Sequence, residues 1–264
     1  MADRSRPGRL SGRNALITGA SRGIGRAIAL RYAEQGADLF LTATSAGKLE
    51  EAKALAEAHG ARVVVHCADV GDRACVETMV GAAIAVFGRI DVLVNNAGVY
   101  KAARLVDYSA EDFDRIMKVN LYGAFYVMQL VLRHMQRNRR GKVVNMASTA
   151  GKWGSLNQSA YNASKHALVG LTRCAALEMG AYGINVNAIC PGFVETDMLE
   201  AFREHASILG VPFEKVMEAG LSRVPLKRFL KPREIADLAV YLGSSESDGM
   251  SGQSLLLDGG MLMV

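Results

Sequence analysis

The segment Asn14-Ala15-Leu16-Ile17-Thr18-Gly19-Ala20-Ser21-Arg22-Gly23-Ile24-Gly25 runs a short apolar strand into a glycine-rich turn. A helical pattern follows from Arg26 through Gln35 and ends at Gly36. Strand, glycine turn and helix, in that order, are the setting of a dinucleotide site. The glycines permit a tight turn and let a pyrophosphate approach the helix N-terminus. The spacing is G-x-x-x-G-x-G rather than G-x-G-x-x-G, and glycine turns also close strand–helix joints that bind nothing. On these residues alone both readings stand.

Downstream, strand and helix patterns alternate. Strands are expected at Asp38–Thr42, Arg62–Cys67, Ile90–Val94, Lys142–Met146, Asn185–Ile189 and Ser254–Leu257. Helices are expected from about Gly47 to His59, from Arg73 to Phe87 (ended by Gly88), from Ser159 and from Pro232 to Leu242. One long helix from about Ala110 to Arg137 carries Asn120, which at mid-helix reads as a surface residue. Asp197–Arg223 is a polar–apolar helical stretch, broken at Pro225. With no internal repeat and no linker, this alternation predicts an α/β fold whose parallel sheet is covered on both faces. Residues 1–264 are read as one domain, with 1–10 a mobile tail.

Many NAD enzymes carry an acidic residue at the end of the second strand to grip the ribose 2′-hydroxyl. Here that end reads Thr42-Ala43-Thr44-Ser45, without an acid. Hydroxyls at Thr42, Thr44 and Ser45, with Arg22 in the glycine turn, suit a 2′-phosphate and favour NADP(H) over NAD(H). Asp69, after the third strand, either caps its loop or bonds an adenine. The run Asn95-Asn96-Ala97-Gly98 can tie neighbouring strands together and leave room for a flat ring.

Tyr161 and Lys165 are four residues apart, so on a helix they share one face. A free tyrosine titrates near pH ~10, and a lysine ammonium beside it favours the phenolate. Ser148, at a strand end, adds a hydroxyl for the same carbonyl oxygen, which makes a proton-transfer site. The alternative for an isolated Y-x-x-x-K is a solvated helix face.

Of 264 residues, 50% are hydrophobic and the formal net charge is +5. The basic excess gathers at Arg4, Arg6, Arg9 and Arg13, and at Arg133, Arg137, Arg139, Arg140 and Lys142. A tail and a solvated helix end account for it, or else an acidic partner or a phosphate-bearing substrate. No aromatic residues interleave and no nucleic-acid reader motif is present. Cys67, Cys75, Cys174 and Cys190 form no C-x-x-C, and no His/Cys/Asp group has metal-ligand spacing. Without an apolar signal core or an 18-residue apolar run, the chain is expected to be soluble and cytoplasmic, with no membrane partner. The apolar end Asp258–Val264 is expected to pack on the subunit or a neighbour, in an oligomer.

Taken together, Thr18-Gly19-x-x-x-Gly23-x-Gly25, Asn95-Asn96-Ala97-Gly98, Asn120, Ser148, Tyr161-x-x-x-Lys165 and Pro191-Gly192 through Thr196 resemble the short-chain dehydrogenase/reductase family, over roughly residues 10–264. The resemblance implies a Rossmann-type, doubly wound parallel sheet of seven strands, and a homotetramer. It implies Tyr161 as general acid/base and Ser148 as the group steadying substrate oxygen. Lys165 would lower the tyrosine pKa and bind the nicotinamide ribose, and Asn120 would hold a water linking that lysine to solvent. Cofactor contacts are implied at Gly19, Ser21, Arg22, Gly23, Ile24, Gly25, Thr44, Asp69, Val70, Asn96, Ala97, Gly98, Pro191, Gly192, Val194 and Thr196, with Thr196 meeting the carboxamide.

Within the family, Arg22, Thr42–Ser45 and the ending Gly259-Gly260-Met261-x-Met263-Val264 resemble fatty-acid 3-oxoacyl reductases. Ala147–Lys152, Cys190–Thr196 and Arg203-Glu204-His205 resemble aromatic-polyketide ketoreductases. Arg133 matches a carrier-docking arginine. The second such arginine is replaced by Leu177, with Arg137, Arg139 and Arg173 as substitutes. A ketone on a 3-oxoacyl thioester, carrier-bound or free, or on a polyketide is therefore the expected substrate. The alternative is a small secondary alcohol or 3-hydroxy acid, since Asn157–Tyr161 and Lys165-His166 resemble 3-hydroxybutyrate dehydrogenases. Against it, the carboxylate-clamping positions read Ala150 and Gln158, and a buried carboxylate without a cation is costly. Steroid, sugar or xenobiotic carbonyls, and a non-catalytic NADP(H)-binding scaffold, complete the field. Tyr100, Trp153, Gln158, Phe193 and the 197–224 segment are expected to line the substrate pocket, although Trp153 equally suits a loop aromatic packed on a helix.

Overall fold

The computed structural model describes residues 8–264. They form a seven-stranded, all-parallel sheet in the order β3-β2-β1-β4-β5-β6-β7. The strands are β1 (Asn14–Thr18), β2 (Asp38–Ala43), β3 (Val63–Cys67), β4 (Val92–Asn95), β5 (Gly141–Met146), β6 (Ile184–Pro191) and β7 (Ser254–Leu257). Side chains alternate across a strand, and here both faces are buried, which is why the strands read as apolar runs. Ala15, Ile17, Leu39 and Leu41 enter one core, while Leu16, Phe40 and Leu93 enter the other. Each of the leucine, isoleucine and phenylalanine side chains contributes about 1.5–3 kcal/mol on burial.

Helices α1 (Gly23–Glu34), α2 (Ala46–Glu57) and α9 (Pro232–Gly243) cover the first face through Ile28, Leu49 and Ile235. Helices α3 (Arg73–Phe87), α5 (Ala124–Asn138) and α6 (Ser159–Met179) cover the second through Met79, Val131 and Ala175. Helix α3 starts where Asp72 accepts hydrogen bonds from the Ala74 and Cys75 amides and stops at left-handed Gly88. No helix among the described residues is long and apolar enough to cross a membrane.

The single helix expected over Ala110–Arg137 is instead three pieces. Helix α4 (Ala110–Met117) and α5 flank a π-helical turn, Lys118–Gly123. Asn120 lies inside that turn with only 1% of its surface exposed, which corrects its reading as a surface residue. Its side chain accepts from the Val99 amide at 2.8 Å and donates to the Val99 carbonyl at 2.9 Å. Gly123 abuts Val70, where a Cβ would meet Cγ2 at 2.8 Å. A widened turn set by an inward polar side chain is a recurrent device near functional sites.

The segment Asp197–Arg223 also divides, into a 3₁₀ turn (Asp197–Ala201), α7 (Phe202–Leu209) and α8 (Phe213–Ser222). Gly210, in the left-handed region, and Pro212 make the break. Of the expected tail, residues 1–7 lie outside the described residues, and the rest is anchored. The Leu10 side chain is fully buried, its amide donates to Gln35 at 3.0 Å, and Arg9 pairs with Glu246 at 2.6 Å. The second basic cluster is largely consumed at the N-terminal edge of the sheet. Buried Lys142 pairs with Asp248 at 2.6 Å, Arg140 with Asp91 at 3.4 Å, and Arg139 donates to the Ala181 carbonyl. All four cysteines are free. At the C-terminus, Asp258 accepts from the Gly260 and Leu262 amides, while Met263 and Val264 remain exposed.

Two glycines test this packing. A Cβ on Gly25 would collide with the Gly19 carbonyl and the Asn96 amide, whereas Gly81, on the exposed side of α3, faces open space. Gly25→Ala is expected to lower stability in urea denaturation by about 1–3 kcal/mol. Gly81→Ala is expected to raise it by about 0.5–1 kcal/mol.

Candidate active site

Strand order reverses between β1 and β4, so a crevice opens at their C-terminal ends. Thr18, the last residue of β1, bridges it: its Oγ1 accepts from the Asn96 and Ala97 amides, both at 3.0 Å. The Asn96 side chain donates back to the Thr18 and Gly19 carbonyls at 3.0 and 3.1 Å. Asn95 reaches the other way, donating to Asn145 at 2.9 Å, and Asn145 donates to Thr172 at 2.9 Å. The tying role expected of these amides is thus present.

A cavity of about 1100 Å³ fills the crevice. At one end Gly19 and Gly23 take left-handed backbones, with φ of 64° and 55°. Arg22 precedes α1 in an extended conformation without a side-chain cap, and no acid occupies the first turn. The positive N-terminus of α1 is therefore open to an anion, and a pyrophosphate fits this cradle. Of the expected cofactor contacts, all but Gly25 line the cavity. Gly25 instead provides the close helix–strand approach. Asp69 lines the cavity and also caps its loop, accepting from the Gly71 amide at 2.8 Å. Thr44 lines it as well, but Thr42 is fully buried, which removes it as a phosphate contact. Arg22 pairs with Asp197 at 3.0 Å across the mouth, both side chains exposed.

At the centre stand Ser148, which follows β5, and Tyr161 and Lys165, one turn apart on α6. Ser148 Oγ accepts from the Ala150 amide at 3.1 Å, which fixes the turn after β5. Lys165 Nζ donates to the Met146 carbonyl at 2.7 Å and lies 5.5 Å from the Tyr161 ring centroid. Asn120 does not line the cavity. Its amide is held by Val99 and donates to Ser164 at 3.2 Å, and Gly98 lies between it and Lys165.

Burial governs both titratable groups. It lowers Lys165 to about 8 and pushes Tyr161 up to about 12, the Ser148 hydroxyl alone opposing the tyrosine shift. Desolvation thus sets the direction of the tyrosine shift, opposite to the one expected from a neighbouring lysine charge.

The far end of the cavity is aromatic. Tyr100, Trp153, Gln158 and Phe193 line it as expected, and α7 and α8 close it. Tyr100 stacks on Phe202 at 5.4 Å, and Phe202 meets Phe193 edge-on at 5.7 Å. The Arg223 guanidinium lies 4.0 Å from the Trp153 ring. Arg115 and Met261 also line the cavity, and neither carries a sequence signal for it.

Three kinds of similarity accompany this geometry. Residues 19–262 match the family profile described as Enoyl-(Acyl carrier protein) reductase. The 3-oxoacyl-[acyl-carrier-protein] reductase FabG of Thermotoga maritima is 40% identical over 97% of this chain and 100% of its own. A Streptomyces violaceoruber protein, provisionally named granaticin polyketide synthase ketoacyl reductase 1, is 39% identical over 97% of this chain and 95% of its own. The D-beta-hydroxybutyrate dehydrogenase of Cupriavidus necator is 38% identical over 95% and 98%. Among solved structures, NAD+-bound xylitol dehydrogenase superposes with a TM-score of 0.92 at 34% identity, covering 95% of this chain and 99% of that one.

The folded Lys165 titrates at about 8, against an ordinary 10.5. Between those values the unfolded chain holds a proton that the folded chain has released, so stability rises with pH. On moving from about pH 8 to about pH 10, wild type is expected to gain on Lys165→Met by up to about 1.4 kcal/mol per pH unit. Urea denaturation across that range measures it, and a pH-independent gap would mean an unshifted lysine.

Proposed function

The chain belongs to the short-chain dehydrogenase/reductase family and is an NAD(P)-dependent oxidoreductase, and from that premise we propose that it reduces the ketone of a 3-oxoacyl thioester or polyketide, with NADPH as reductant and Tyr161 as acid. The observation that carries this reading is the convergence of Ser148, Tyr161 and Lys165 on one wall of a cavity that runs into the open N-terminus of α1. When bound, the nicotinamide supplies the hydride. The chain's own residues bind, orient and move the proton.

The diphosphate would rest on the Gly19–Gly25 turn, and the ring side would be held by Asn96, Gly98, Lys165, Pro191, Gly192, Val194 and Thr196. Ser148 donates to the ketone oxygen and sets its position. Tyr161 gives its phenolic proton to that oxygen as the hydride arrives at carbon. A phenol held up at about 12 stays protonated at neutral pH, which suits the reducing direction. Lys165, charged below about 8, steadies the phenolate left behind. Asn120 fixes Val99 and the loop after β4 behind that pair.

NADPH is favoured because β2 ends without an acid and Arg22 flanks the open helix end. An exposed pair such as Arg22–Asp197 is worth roughly 0–1 kcal/mol, so the guanidinium is free to turn to a 2′-phosphate. Support for the substrate class comes from the FabG relative and from the apolar, aromatic far end of the cavity. The hydroxybutyrate dehydrogenase relative favours a second reading, a small hydroxy acid. Against it, neither Ala150 nor Gln158 carries a charge; the cations that line the cavity on its far side are Arg115, Lys215 and Arg223. A carrier protein at Arg133, a homotetramer and a cytoplasmic location belong to the same proposal.

Tyr161→Phe is expected to lower turnover of an acetoacetyl thioester by about 10²–10⁴-fold. NADPH affinity, followed by titration, is expected to change little. Retained turnover would remove Tyr161 from the chemistry.

A further inference from the structure

The cations that line the cavity away from the catalytic pair differ in whether an acid answers their charge. Arg22 pairs with Asp197 at 3.0 Å, Arg115 lies 3.5 Å from Asp112, and Lys215 pairs with Glu218 at 2.8 Å. Arg223 has neither an acidic partner nor a side-chain hydrogen bond among the described residues. Of those residues, the acids that line the cavity are Asp69, at the cofactor end, and Asp197, which Arg22 already holds. The far end therefore carries positive charge that the chain leaves unanswered.

Arg223 is also held in place. It follows directly on α8, and the next residue, Val224, is buried and donates its amide to the Leu221 carbonyl at 3.0 Å. Its guanidinium carbon sits over the Trp153 ring, 4.0 Å from the centroid. Contact with a ring occupies one face of a guanidinium and leaves its N–H fork for an acceptor. A helix C-terminus favours a cation, which accounts for the charge of Arg223 but not for its seat on Trp153.

We infer that Arg223, seated on Trp153, binds an oxyanion that the substrate carries at the end remote from the reduced carbonyl. This rests on the reading of the cavity as a ketone site centred on Ser148 and Tyr161. A carboxylate next to the ketone would meet only the uncharged Ala150 and Gln158, whereas one farther along the cavity reaches Arg223. Arg223 is thus a specificity-determining residue, selecting charged over neutral ketones. Two sources share this chemistry: a carboxylate that ends the acyl chain, and the phosphates of a thiol carrier.

The test is calorimetric titration with NADP+ saturating the cofactor end. One arm compares 5-oxohexanoate and 7-oxooctanoate with their uncharged amides. The other compares acetoacetyl-coenzyme A with acetoacetyl-pantetheine, which keeps the thiol arm and lacks the phosphates. Wild type is expected to bind the charged member of at least one pair about fivefold tighter or more, the factor for an exposed ion pair at the strong end of its range. That member is also expected to shift the emission of Trp153, the chain's one tryptophan. Arg223→Gln is expected to remove the advantage. Removal confined to the oxo acids assigns the anion to the acyl chain, and removal confined to coenzyme A assigns it to the thiol arm; either supports the site. No charged preference in wild type, binding of no compound, or a preference that survives in Arg223→Gln would overturn it. NADPH oxidation is recorded in parallel. Its absence, with an Arg223-dependent preference intact, counts against ketone reduction and still supports the anion site.

Discussion

The bridge between β1 and β4 is the constraint from which the site follows. A parallel sheet that changes direction must leave its two central strands ending side by side, with helices departing to opposite faces. Thr18 and Asn96 close that gap with four hydrogen bonds of 3.0–3.1 Å. They fix the glycine turn, and so the N-terminus of α1, against the end of β4. Gly25 has no space for a side chain because this contact is so close. The chain of amides continues from Asn95 through Asn145 to Thr172 on α6. The helix that carries Tyr161 and Lys165 is thereby referenced to the same strand end as the nucleotide cradle.

That rigidity carries an electrostatic consequence. Lys165 and Tyr161 lie in a wall dry enough for burial to move both toward their neutral forms. Left alone, such a pair favours a phenol and loses its ammonium charge just above neutral pH. A substrate oxygen that accumulates negative charge supplies the missing counterpart, so the lysine is most useful at the moment of proton transfer. Asn120 acts at one remove. By binding both polar groups of Val99 it holds the loop whose next residue is Tyr100. The π-helical turn thus has a structural reason within the site.

The sheet and its order of elements were legible because the central strands are buried on both faces and the helices that cover them on one, and hydrophobic pattern reports burial directly. The proton-transfer residues were legible because helical spacing places Tyr161 and Lys165 together whatever surrounds them. What failed depended on distant partners. The π-helical turn needs the Val99 backbone, which nothing in Lys118–Gly123 announces. Leu10 is anchored by Gln35 and Arg9 by Glu246, far along the chain. Thr42 lies in the same sequence run as Thr44, yet it sits inside the sheet between Thr18 and His66, whereas Thr44 lies beyond the end of β2. The direction of the tyrosine shift was not legible, because spacing reports a neighbouring charge and not the depth of burial.

The most direct measurement titrates the purified protein with NADPH and with NADH, then adds an acetoacetyl thioester and follows the near-ultraviolet absorbance of the reduced nicotinamide. The account predicts tighter binding of NADPH and its prompt oxidation by the thioester. Preference for NADH would contradict the role given to Arg22 and Thr44. Failure to oxidise either cofactor on the thioester would contradict the substrate class.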